Sequence, residues 1–147
     1  MKILIAGSHG MIGSAVTPYL IERGHEIVRL VRCKPQSGEI HWDPDAGVID
    51  AGALEGFDAV INLATMAWPM RWSDKAKKAM YANKVATNGL LARTLAACSR
   101  KPRVLICSSG VGIYLPSGDE VLMEGCPRGN GFIAVLDHAG EAATASA

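Results

Sequence analysis

The stretch AGSHGMIG, residues 6–13, places Gly7, Gly10 and Gly13 at three-residue intervals. Glycines so spaced let a backbone turn tightly and bring its N–H groups against an anion. A second set of reactive groups stands far along the chain. Ser108 and Ser109 offer hydroxyls, Tyr114 a phenol, and Asp137 and Glu141 two carboxylates four residues apart in the helical stretch FIAVLDHAGEAAT. Like charges at that spacing share a helix face and repel mildly, so the pair is either an acid–base device or a solvated surface. His138 adjoins Asp137, but neighbouring helical residues point in different directions, which weighs against pairing.

The chain that must position these groups has 147 residues, enough for one domain over 1–147 and too short for two. Apolar residues make up 49% and charged residues 20%, with 15 Lys and Arg against 14 Asp and Glu. That balance indicates a nearly neutral globular protein with neither nucleic acid nor a membrane as partner. The opening MKILIAGSHG holds one Lys and a short apolar run that Gly7 interrupts, so it fits neither a secretory signal nor a membrane span, and a cytoplasmic location is expected. Cys33, Cys98, Cys107 and Cys126 form no CxxC pair, which argues against a metal site and predicts reduced, mostly buried thiols.

KILIA (2–6), EIVRLV (26–31), EIHW (39–42), AVINLA (59–64) and RVLICS (103–108) predict five strands, with helices near 11–23, from Ser73 to about Ser99, and from about Gly131. Nearly continuous apolar strands belong to a parallel sheet covered on both faces. Gly24 suits a helix C-terminus, Ser73 an N-cap, and Pro18 predicts a bend in the first helix. Strand, helix, strand with short connections implies a three-layer, doubly wound α/β sheet of Rossmann type.

In that architecture the glycine stretch follows the first strand and opens the first helix. Gly7 then permits the bend, Gly10 lets the backbone approach a pyrophosphate, and Gly13 allows close helix packing. The N–H groups of Met11 and Ile12 are the expected donors to the phosphates. At the end of the second strand, RLVRCK places Arg32 where an acid would hold the ribose hydroxyl of NAD. A planar guanidinium suits the 2′-phosphate of NADP instead, so NADP is favoured over NAD.

The GxxGxxG spacing, together with INLA, NKVATNGLL and CSSGVGIY, resembles the short-chain dehydrogenase/reductase superfamily. GEIHWDPDAGVID, DAVINLA, RWSDKAKKAM and SSGVGIY resemble, more narrowly, its NAD-dependent epimerase/dehydratase-like branch of unsettled substrate. The resemblance implies cofactor contacts at Arg32, at Leu63 and Ala64, and at Lys84 in the middle of the long helix. Asn83 and Thr87, at i and i+4, share a helical face; the resemblance also implies that Trp42 and Asp43 lie near the adenine, and read plainly those two are an edge aromatic and a turn-forming acid before Pro44. Members of the branch run to roughly twice this length, so the chain matches their N-terminal part and the sheet is expected to stop after about five strands.

The superfamily's chemistry, as the resemblance implies it, uses a Tyr activated by a Lys four residues on, with a Ser holding the substrate oxygen. Asp137 and Glu141 occupy those Tyr and Lys stations here, and Gly140 stands where the branch carries Trp. A carboxylate raises the pKa of a neighbouring acid where a lysine lowers it, so the usual mechanism is not available. Ser109 and Tyr114 remain as candidate catalytic groups, with an ordinary strand-end hydroxyl and a packed Tyr as the plain reading. The expected function is an NADP(H)-binding domain of an oxidoreductase or epimerase-like protein. The alternatives are a non-catalytic NADP sensor or scaffold, and a remnant of a longer enzyme. An uncovered sheet edge after the fifth strand predicts a homodimer.

Overall fold

The computed structural model describes all residues from Met1 to Ala147. Five strands run parallel: β1 Lys2–Ala6, β2 Glu26–Val31, β3 Glu39–Asp43, β5 Ala59–Asn62 and β6 Val104–Cys107. A sixth, β4 Val48–Ile49, pairs antiparallel with β3, giving the order β4-β3-β2-β1-β5-β6. The sequence reading missed β4 because two residues are too few to show an alternating pattern. They pair because the Asp43 carboxylate accepts from the N–H groups of Asp45 and Ala46, 3.1 Å each, and turns the chain back.

Three helices complete the layers: α1 Met11–Glu22, α2 Asp74–Ala97 and α3 Phe132–Ala142. The α1 helix runs on past Pro18 and hands over to β2 through Gly24, whose φ of +78° suits a residue without a Cβ. Ser73 caps α2 as expected, accepting from the N–H of Ala76 at 3.2 Å. At its far end α2 is tied down by Glu55, which accepts from the N–H groups of Ser99 and Arg100 at 2.8 Å each. These bonds hold the Glu55 carboxyl below its ordinary range.

The larger core lies between the sheet and α2, where Leu4, Ala6, Leu30, Trp42 and Val60 meet Leu90, Leu91 and Leu95. On the other face a smaller cluster of Ile3, Ile5 and Ala59 packs against Leu20 of α1. That cover does not reach the far edge. The register Ala59↔Val104 and Ile61↔Ile106 continues this face onto β6, where Val104 is 42% and Ile106 50% exposed. Only Cys98 of the four free cysteines is buried; Cys107 and Cys126 are half-buried and Cys33 is exposed, so mostly buried thiols are not what folding produces. No helix is long and apolar enough to cross a membrane.

Candidate functional site

All five parallel strands point their C-terminal ends at one cleft of about 880 Å³. Gly7 sits at its base with φ +79°, and a Cβ there would come within 2.6 Å of the Leu63 carbonyl carbon and 2.7 Å of the Ala64 nitrogen. The turns after β1 and β5 therefore touch backbone to backbone, which no side chain at position 7 permits. Gly13 is buried against the same turn, where a Cβ would lie 2.7 Å from the Ser8 Cα. Its constraint comes from the loop itself. Gly10 is looser, with a Cβ position 3.3 Å from the Gly7 carbonyl.

Gly10 is the N-cap of α1 and brings no side chain to it, and the first turn holds no acid. The N–H groups of Met11 and Ile12, both exposed, are left facing outward at the positive end of the helix. Arg32 and Cys33 line the cleft beyond the end of β2, whereas Lys34 does not. Arg32 is exposed and absent from the three ion pairs, Lys2–Glu26, Lys84–Asp137 and Arg128–Glu141. Trp42 also lines the cleft, but from within the core at 1% exposure, so it is no edge aromatic. Asp43 does the turn-forming work already described.

On the β5 side, Leu63 and Ala64 line the cleft with their N–H groups already engaged: Leu63 donates to the Ala6 carbonyl at 2.9 Å, Ala64 to Asn62 Oδ1 at 3.1 Å. Contacts from this turn must use carbonyls or side chains. The bond to Asn62 also ends β5 two residues earlier than its apolar run suggests. Asn62 Nδ2 in turn donates to Asn88 Oδ1 at 2.8 Å, and Asn88 Nδ2 to the Gly140 carbonyl at 2.7 Å. This buried amide chain fastens the β5 turn to α2 and α3. Sequence reasoning missed it, although an Asn inside an apolar helix stretch is unfavourable unless something buried needs it.

Lys84 does reach the cleft, and its stem passes under Gly140, where a Cβ would lie 2.6 Å from Lys84 Cε. Glycine at position 140 thus leaves room for the lysine. Lys84 Nζ donates to the Ser108 carbonyl at 2.7 Å and faces Asp137 Oδ1 at 3.9 Å. Asp137 is 8% exposed, and burial raises its carboxyl above the ordinary 3.8; the Lys84 cation offsets part of this and Glu141 adds to it. Burial likewise raises the Cys107 thiol, against a hydrogen bond from Asn62 and the Lys84 charge. Asn83 and Thr87 share the cleft face of α2, the Thr87 hydroxyl donating back to the Asn83 carbonyl at 2.8 Å.

The two candidate hydroxyls part company. Ser109 lines the cleft, with its Oγ donating to Glu141 Oε1 at 2.8 Å. Tyr114 does not: beyond the 3₁₀ turn Val111–Ile113 the chain is extended and bridges Arg128, which places Tyr114 on a second cleft of about 680 Å³ with Trp72, Lys77 and Phe132. Asp137 and Glu141 differ as well. The first is buried in the cleft, while the second is a more exposed clamp between Ser109 and Arg128, 3.7 Å away. His138 contacts Arg128, so it does not pair with Asp137.

Known proteins share this fold. The pattern of the NAD dependent epimerase/dehydratase family matches residues 3–127. An epimerase family protein of Mycobacterium bovis is 37% identical over 136 residues, 91% of this chain and 44% of its own. A human epimerase family protein is 35% identical over 133 residues, again 44% of its length. The chain thus spans less than half of the curated relatives it matches. Among solved structures, a nucleoside-diphosphate sugar epimerase from Corynebacterium glutamicum matches with a TM-score of 0.85 and 33% identity, covering 99% of this chain and 30% of that one. The human protein solved with NADPH matches with a TM-score of 0.83 and 31% identity, covering 98% and 48%. Residues 3–127, most of the fold just described, therefore make this chain a member of the NAD dependent epimerase/dehydratase family.

Proposed function

We propose that the chain is the NADP(H)-binding part of an oxidoreductase or epimerase-like protein. Its pyrophosphate sits on the N–H groups of Met11 and Ile12, Arg32 takes the 2′-phosphate, and Leu63, Ala64 and Lys84 line the remaining path. The observation that carries this reading is the pairing of an uncapped, acid-free helix N-terminus with an unpartnered guanidinium in one cleft. NADPH in the human relative's structure supports it. Bound there, a nicotinamide dinucleotide supplies hydride transfer, and the chain's own residues hold and orient it.

A second reading, a non-catalytic NADP sensor or scaffold, draws on the Ser109 hydroxyl being tied to Glu141 and on Tyr114 lying in another cleft. Both readings require binding. The bare Val104 and Ile106 face at the β6 edge supports a homodimer, which light scattering at high concentration would reveal and a monomer there would refute.

Fluorescence titration with NADPH and NADH tests the shared core. A charged contact to the 2′-phosphate predicts that NADPH binds roughly 10- to 100-fold more tightly and that Arg32→Glu erases the difference. Equal affinities in the wild type would remove Arg32 from the site, and binding of neither would end the cofactor reading.

A further inference from the structure

The cleft has a direction. The α1 N-terminus at β1 receives a pyrophosphate and Arg32 marks the adenosine side at β2, so the other half of a dinucleotide lies over the ends of β5 and β6. Five ionisable side chains line the cleft: His9, Arg32, Cys33, Lys84 and Asp137. Of these, Lys84 and Asp137 stand at the β6 end beside Ser108, Ser109 and Gly110. Lys84 makes its short contact with the Ser108 carbonyl at 2.7 Å and stays 3.9 Å from Asp137. Two opposite charges, little exposed and paired loosely at 3.9 Å, thus line the end of the cleft that the nicotinamide takes on this reading.

The oxidised ring carries a positive charge that the reduced ring lacks. We propose that the Lys84–Asp137 pair sets the relative affinity of the cleft for oxidised and reduced nicotinamide dinucleotide, Asp137 favouring the cationic ring and Lys84 the neutral one. The proposal rests on the dinucleotide reading above. It extends to pH, because protonating Asp137 removes the same charge as Asp137→Asn. The groups facing Asp137 are Lys84 from α2 and Glu141 along α3; the 108–112 segment brings no charge, and Arg128 is engaged with Glu141 and His138.

The test measures Kd for NADP⁺ and NADPH by calorimetry with the 147-residue chain and two variants, Asp137→Asn and Lys84→Met. Removing one charge at several ångströms changes the ratio Kd(NADP⁺)/Kd(NADPH) by roughly tenfold at an intermediate effective dielectric. That is about 30 mV in the potential of a bound two-electron couple. The ratio should rise in Asp137→Asn, fall in Lys84→Met and stay near wild type in Asp137→Glu. Lowering the pH should move the wild-type ratio toward that of Asp137→Asn and leave the Asn variant's ratio alone. If Asp137→Asn does not fold, the Lys84→Met shift and the wild-type pH response carry the test. Ratios that stay within twofold, shift in the same direction in both charge-removing variants, or hide behind equal loss of both forms overturn the proposal. A wild-type chain that binds neither form overturns the dinucleotide reading instead.

Discussion

The two ends of the cleft are built from different materials. At the β1 end the chain presents backbone: a glycine turn, uncapped N–H groups and close contact between two loops. At the β6 end it presents buried side chains that meet across long separations: Asn62 with Asn88, Asn88 with Gly140, Lys84 with Asp137. The first end suits an anion that every dinucleotide carries. The second, in the proposal above, distinguishes one bound state from another. A backbone cradle tolerates almost any substitution that adds no volume, whereas a side-chain cluster answers to charge.

Gly7→Ala should break the backbone end outright. It combines a left-handed φ of +79° with a Cβ 2.6 Å from the backbone of Leu63, so a loss of about 3 kcal/mol or more in urea unfolding is expected, together with NADPH binding. Gly24→Ala separates strain from collision. At φ +78° with nothing within 4 Å of its Cβ, it should cost only about 1 kcal/mol. Similar losses at both positions would remove the steric role given to Gly7.

Gly140→Ala probes the other end with a smaller effect. Alanine in a helix interior gains about 1 kcal/mol over glycine, but here its Cβ would lie 2.6 Å from Lys84 Cε. A net loss of about 1–2 kcal/mol is expected, recovered when Lys84→Ala is added in the same chain. Additive losses in the double variant would show that Gly140 is not shaped around the lysine.

Asp137→Asn gives the mildest stability effect, and its sign is diagnostic. A carboxyl raised above its unfolded value of 3.8 contributes stability that is present below 3.8 and is lost as pH rises through the folded value. The Asn variant should therefore gain on the wild type as pH climbs through the window just above 3.8, as read from unfolding curves at stepped pH. A variant that falls behind over that window would mean that Lys84 outweighs burial.

The same contrast explains what the sequence disclosed. The five parallel strands, α1 and the glycine turn were legible because period, caps and spacing are local marks. The position of Arg32 in the cleft was legible because strand ends are. The amide chain was not, since an Asn inside an apolar stretch signals a buried need without naming the partner 26 residues away that meets it. Tyr114 lies only five residues beyond Ser109 along the chain, yet a 3₁₀ turn and a bridge to Arg128 carry it elsewhere. The two acids four residues apart share a helix face by spacing alone; one lies buried beside a lysine and the other clamps a serine and an arginine.

Chemical-shift mapping of the ¹⁵N-labelled chain on adding NADPH tests the central claim most directly. Amides of Gly7 to Gly13, of Arg32 and Cys33, of Leu63 to Thr65 and of Ser108 to Gly110 should move together, tracing the cleft from β2 to β6. Shifts confined to Trp72, Tyr114 and Phe132 in the second cleft, or no shifts at all, would contradict it.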